Sequence, residues 1–212
     1  MGSLRSLAAA VLVLGAGASW GQGTLDQFLR AVTHGDAKIA GALIDKGLDP
    51  NTADAEGNTA LMIAARLGHE ELAAMLVERK ANVNMRSAHG DTALLFASLK
   101  GHLAIVKLLV EHGAPVNPEG WTPLHYASFE NHSDVIKYLI LKGANKDAIA
   151  PNGYTPLMLS ARGGHLDAAR TLLYEDADLG IKAPSGETAL GIAIKRNDEE
   201  MVKLLKRAGA TS

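Results

Sequence analysis

The sequence predicts an all-α solenoid of about six stacked helix-turn-helix repeats, joined by β-hairpin-like finger loops. Three observations predict it. The segments GNTALMIAA, GDTALLFAS, GWTPLHYAS, GYTPLMLSA and GETALGIAI recur, with Thr59, Thr92, Thr122, Thr155 and Thr188 spaced by 33, 30, 33 and 33 residues. A fixed period of this size marks stacked supersecondary units, each with an apolar face that stays bare until a neighbour covers it. Within a unit, apolar residues return at helical spacing, as Leu103, Val106 and Leu109–Val110 do. Each unit also carries the punctuation of two helices: a threonine that caps the first, a Gly-His-type turn, and a Gly-Ala-Asn loop after the longer second helix.

The N-terminal segment, residues 1–21, stands apart. Met1–Ser6 carries one charge, Arg5, and is followed by the apolar run Leu7–Leu14. That run is too short to cross a bilayer, which takes about 20 residues. The small residues Ala16-Gly17-Ala18 and then Ser19-Trp20-Gly21 complete the pattern of a secretory signal peptide, with cleavage expected after Ala18 or Gly21. An uncleaved anchor or tail is the alternative. The chain has no cysteine, so a lipid-modified cysteine at the cleavage site is excluded, as are disulfides, thiol catalysis and thiolate metal sites.

Residues 22–212 form the repeat domain, with units at about 24–52, 53–85, 86–117, 118–148, 149–182 and 183–212. In the first, Thr24 and Gln27 have the spacing of a capping box. In the fourth and fifth, Pro123 and Pro156 follow the capping threonine, where a missing N–H costs nothing. Net charge is −2, which gives no reason to expect nucleic acid or an anionic membrane as partner.

TPLHYAS, with the spaced Gly-His turn and the Gly-Ala-x-x-Asn loop, resembles the ankyrin repeat. The likeness runs from roughly Thr24 to Ala210. Together with the N-terminal segment it points to small exported bacterial ankyrin-repeat proteins, and so to a periplasmic location. The resemblance implies a non-enzymatic module that binds a protein through its concave groove, with no cofactor and as a monomer. An intracellular scaffold with an uncleaved N-terminus is the alternative, and an enzyme or metal-binding protein a remote one.

Departures from the repeat carry information. Lys80 and Asp176 stand where Gly113 and Gly143 end other repeats, so Lys80 is expected to weaken its repeat by about 1 kcal/mol relative to glycine. In the 30-residue interval the finger before Trp121 is cut short, with Pro118 inside it. Finger contacts are expected to be fewer there and the inner helices of repeats three and four less covered.

The eight histidines invite a metal reading. His69, His102, His132 and His165 share one repeat position, however, and repeats stack about 8–10 Å apart. Similarly oriented side chains cannot then meet at one ion about 2 Å away. The resemblance implies that they, and His125, are structural, bonding backbone groups of the turn and the next repeat. No phosphate loop, nucleophile elbow or paired His/Glu helix motif occurs. Asn131-His132-Ser133 is a sequon, which matters only in a glycosylating secretory pathway.

By the same resemblance, the groove is lined by the residue before each capping threonine and the two residues that close each first helix. The first set is Asn58, Asp91, Trp121, Tyr154 and Glu187. The second is Arg66-Leu67, Leu99-Lys100, Phe129-Glu130, Arg162-Gly163 and Lys195-Arg196. Aromatics make up only 4% of the chain, yet Trp121, Phe129 and Tyr154 fall in this set, beside the short finger. Trp and Tyr are the usual anchors of protein interfaces, whereas packing between repeats is the ordinary expectation for Phe129 and Tyr126. Arg66, Lys100, Arg162, Lys195 and Arg196 give the groove a basic stripe, interrupted by Glu130, that suits an acidic protein partner. Acidic residues gather instead at the second-helix starts (Glu70, Glu71, Asp134, Asp167, Glu199, Glu200), where helix dipoles also favour them.

Overall fold

The structure is a computed structural model that describes residues 21–211; the expected signal segment lies outside the described residues apart from Gly21. Twelve helices follow one another among these residues. They are α1 (Gln22–Thr33), α2 (Ala37–Asp45), α3 (Ala60–Leu67), α4 (Glu70–Glu78), α5 (Ala93–Lys100) and α6 (Leu103–Glu111), then α7 (Pro123–Phe129), α8 (Ser133–Leu141), α9 (Pro156–Gly163), α10 (Leu166–Tyr174), α11 (Ala189–Lys195) and α12 (Glu199–Arg207). Odd-numbered helices stack on one another in an inner row and even-numbered helices in an outer row, each pair packed within its own repeat.

The local sequence sets these boundaries. Thr59, Thr92, Thr122, Thr155 and Thr188 each accept a hydrogen bond from the backbone N–H three residues on, so all five cap an inner helix. Asp36 and Asp198 cap α2 and α12 in the same way. The first inner helix departs from the expected capping box. α1 starts at Gln22 behind Gly21, with no side-chain cap, and Thr24 and Gln27 lie inside it. The helix begins earlier than the threonine, which therefore sits inside the first turn rather than at its N-cap.

Positive φ marks the ends of the inner helices at Gly68, Gly101 and Gly164. Asn131 and Asn197 take that position in repeats four and six, at φ 64 and 55, as Asn can. At the ends of the outer helices Lys80 and Asp176 are held at φ 66 and 58, the left-handed region expected to strain Lys80 in particular.

The core is one continuous seam. Leu61, Leu72, Leu94, Leu109, Leu124, Ile136, Leu139 and Leu157 are fully buried in it, one repeat after another. Each contributes about 1.5–3 kcal/mol relative to exposure. Alanines fill the gaps: Ala64, Ala97, Ala127, Ala161 and Ala193 are all fully buried, so neighbouring inner helices approach closely.

The fingers are tight turns rather than strand pairs; an isolated bridge joins Ala53 and Thr59. Four of them close with the same two backbone bonds. In the third repeat Ser87 N–H donates to Asp91 C=O at 2.9 Å and Gly90 N–H to Ser87 C=O at 2.9 Å. The same pair recurs at Asp54/Asn58/Gly57, Ala150/Tyr154/Gly153 and Ala183/Glu187/Gly186. The short finger of the fourth repeat, residues 118–121, has neither bond. Fingers two and three are joined by Ala88 N–H donating to Glu56 C=O at 3.2 Å, and Gly153 lies tight against Pro184 of the next finger. Gly90 has open space around it, so the finger row is interrupted where the interval shortens.

Candidate functional site

In two repeats the residue before the capping threonine meets the residue seven after it. Their pairing is directly visible in the fifth repeat, where the Arg162 guanidinium lies 5.5 Å from the Tyr154 ring centre, and in the sixth, where Lys195 Nζ is 2.6 Å from a Glu187 carboxylate oxygen. That ion pair, with the Ser185 hydroxyl also donating to the carboxylate, holds Glu187 below the usual carboxylate range and raises Lys195. Trp121 and Phe129 occupy the same two positions in repeat four, Asp91 and Leu99 in repeat three, and Asn58 and Arg66 in repeat two.

The expected groove residues fall into three groups. Trp121 and Tyr154 are half-buried and Phe129 is 45% exposed. Phe129 therefore does not pack between repeats as expected. Arg162 and Lys195, at the same position of their repeats, are exposed as well, so the position itself faces outward. Lys100, Arg162, Lys195 and Arg196 are exposed and Arg66 is half-buried, with its guanidinium 5.7 Å from the Phe96 ring centre. Asn58 is not available: it is buried, and its side-chain amide donates to Asp54 and Glu56 at 3.0 and 3.1 Å.

Trp121 is seated by its own helix. Its ring lies 5.5 Å from Tyr126 and 5.6 Å, edge-on, from His125. His125 is fully buried. Nε2–H donates to the Ala148 carbonyl at 3.0 Å, while Nδ1 accepts from Thr122 N–H at 3.1 Å and faces its hydroxyl at 2.8 Å. Burial holds the ring below the usual histidine pKa, so it is neutral. Burial, with Asp91 adding to it, pushes the Tyr126 hydroxyl up.

Phe96, on whose ring the Arg66 guanidinium lies, is an aromatic that sequence reasoning passed over. It sits four residues after Thr92, the position Tyr126 holds after Thr122, and both are half-buried. The other repeats have buried Ile63, Leu159 and Ile192 there. A bulky ring at that shared position was the available signal.

The repeated histidines serve the stack, with one correction of direction. The rings of His69, His102 and His132 lie against Gly35, Gly68 and Gly101 of the preceding repeat, where a side chain could not fit. His69 Nε2–H donates to Thr33 C=O and His132 Nε2–H to Leu99 C=O, both at 3.0 Å. They tie backward, not to the next repeat. His165 breaks the series because Asn131 replaces glycine beneath it. Asn131 Oδ1 accepts from Ala168 N–H at 3.0 Å, and the His165 ring lies over its own Gly163 instead. Among the described residues no three histidine or carboxylate side chains converge as a metal would require.

A second ladder runs along the loops that close the repeats. Asn51 Oδ1 accepts from Asn82 N–H, Asn117 Oδ1 from Asn145 N–H and Asp147 Oδ1 from Asp178 N–H, at 2.7, 2.7 and 2.8 Å. The rung expected from Asn84 is missing because its partner position is Pro115, which has no N–H. At the next rung Asn117 also donates Nδ2–H to Gly143 C=O at 2.8 Å.

The family model described as Ankyrin repeats (3 copies) matches residues 27–87, 80–150 and 140–211. Among solved structures, the chain is similar to the human ASB11 ankyrin repeat domain. The TM-score is 0.82 and the identity 28%, over 87% of this chain and 84% of that one. The search of curated proteins returns no match. The finger turns, the backward-tied histidines and these likenesses agree: the chain belongs to the ankyrin-repeat family, whose domains are protein–protein interaction modules.

Proposed function

We propose that the protein is an exported, periplasmic interaction module of the kind found in small bacterial ankyrin-repeat proteins. It has no chemistry of its own and binds a protein partner through the concave groove. The contact residues are Trp121, Phe129, Tyr154, Arg66, Lys100, Arg162, Lys195 and Arg196. One observation carries the reading: in a chain with few aromatics, two adjacent repeats place aromatics at groove positions, and Phe129 stands 45% exposed there. A large apolar side chain left in water beside a rigid backbone is the form an interface anchor takes. Among the described residues no helix is long and apolar enough to cross a membrane.

The groove is tested with a photo-crosslinking residue placed at Phe129 and, as a control, at Tyr174, which is 85% exposed on the outer row. A discrete adduct from Phe129 alone, lost in the Trp121→Ala/Tyr154→Ala pair, is expected; equal adducts from both positions overturn the groove reading. Export is tested by the mass of the native protein. A chain beginning at Ser19 or Gln22 supports it, and an intact Met1 leaves the intracellular scaffold instead.

A further inference from the structure

The groove is graded along its length, and the grading selects a kind of ligand. At the centre, in repeat four, both paired positions are aromatic, Trp121 and Phe129, and the finger beside them is three residues short. The repeats on either side carry cations: Arg66 and Lys100 toward the N-terminus, Arg162 and Arg196 toward the C-terminus. Arg66 and Arg162 rest on aromatic rings at 5.7 and 5.5 Å. A ring orients a guanidinium without neutralising it, so the charge and the fork of donors stay available to a ligand. Lys195, already paired with Glu187, does not have that freedom. Over the groove positions of repeats two to six, five cations meet three carboxylates, on a chain of net charge −2, so the groove is the basic side of an acidic molecule.

We infer that the groove takes an extended acidic segment of a protein, with one large apolar side chain seated at Trp121 and Phe129 and a carboxylate on each side of it. Arg162 pairs with one carboxylate and Lys100 with the other. The inference rests on the groove reading proposed above and adds the chemistry of the occupant. Repeats stack about 8–10 Å apart and an extended chain advances about 3.3 Å per residue. The carboxylates therefore lie about three residues before and after the apolar side chain. Bases of a single-stranded nucleic acid could also stack on these rings, with phosphates on the cations. The net negative charge of the rest of the surface favours the protein segment, and the test separates the two.

The test is fluorescence anisotropy of a labelled peptide with a central Phe, Asp three residues away on each side, and Gly/Ser elsewhere, titrated with the full chain. Companion probes replace Phe with Ala, replace both Asp with Lys, or substitute an oligothymidine. The Asp/Phe peptide is expected to bind about tenfold more tightly than its Ala version and to weaken as salt rises from about 50 to about 500 mM. Phe129→Ala and the Lys100→Ala/Arg162→Ala pair are each expected to cut affinity about tenfold. Lys137→Ala, on the outer row, should leave it unchanged. Circular dichroism confirms that each variant is folded. Equal affinity for the Phe and Ala peptides, undiminished binding of the Lys peptide, or tighter binding of oligothymidine overturns the inference. If the Asp/Phe peptide fails while Phe129 still crosslinks a native protein, the occupant chemistry falls and the groove reading stands. If the peptide binds but ignores every groove variant, both fall.

Discussion

The fourth and fifth fingers perform the same task by different means. The fifth closes on itself through two backbone bonds and packs Gly153 against Pro184 of the sixth. The fourth, three residues shorter, has no closing bond, and only Pro151 comes near Gly120, 3.9 Å from where a Cβ would stand. Around it the connections pass to side chains. Asn117 bridges to Gly143 and Asn145, and His125 reaches the Ala148 carbonyl. The helices beneath stack alike in both places. Helix packing thus holds the solenoid together, while the fingers decide how much of the groove wall is standing and whether its ties answer to mutation and pH.

The largest contrast is expected from glycines. Gly153 and Gly120 both have positive φ, at 81° and 84°. Alanine at either pays the left-handed penalty of about 1–2 kcal/mol. Only Gly153→Ala also drives a methyl into Pro184, adding about 1–3 kcal/mol of overpacking. Urea titration should place Gly153→Ala well below Gly120→Ala in stability; equal losses would mean that the closed finger is no tighter than the open one.

Asn117→Ala comes next. It removes two inter-repeat bonds and should cost about 1–2 kcal/mol. Asn84→Ala, at the rung that Pro115 breaks, should cost less than about 0.5 kcal/mol. Chemical denaturation of both variants checks the difference.

A smaller effect of opposite sign is expected beneath the open finger. Ser98 and Ser128 stand at equivalent positions in α5 and α7, fully buried, and their hydroxyls have no hydrogen-bond partner. The corresponding Ala65 and Ala161 have no hydroxyl to satisfy. The double Ser98→Ala/Ser128→Ala variant should gain up to about 1 kcal/mol, read as a higher melting temperature; a clear loss would show that the hydroxyls do find partners.

The last difference is confined to pH. The folded chain keeps His125 neutral below the pH at which the unfolded chain binds a proton, near 6.5. The unfolded state therefore holds more protons in that range. The contribution linked to His125 is present above about pH 6.5 and is lost progressively as pH falls below it. The His125→Gln variant should show a flatter stability profile between about pH 7 and 5. Identical slopes in the two proteins would show that folding does not hold the His125 ring below its unfolded pKa.

Much of this was legible in the residues. The recurring threonines announced the inner helices because a side-chain oxygen is needed where four N–H groups are orphaned. The missing three residues announced the open finger, because fingers lie outside the helices that set the period. What stayed hidden depended on neighbours. The direction of the histidine ties, the displacement of His165 by Asn131 and the burial of Asn58 are facts of contact across repeats, which one repeat's pattern does not encode. Thr24 failed as a cap because a helix can start earlier when nothing stops it. Phe129 was assigned by type, whereas its exposure goes with its position, seven residues after the capping threonine, where Arg162 and Lys195 are exposed as well.

The shortened finger also bears on how such a chain changes length. With three residues fewer between Asn117 and Trp121, α7 and α8 are seated as their counterparts are. The difference in length is contained entirely in a loop. The stack is indexed by its helices rather than by residue count, so insertions and deletions in a finger raise or lower the groove wall without disturbing the floor. In this molecule the segment around Glu119 and Gly120, with no closing backbone bond to lose, is where a grafted loop would cost the fold least.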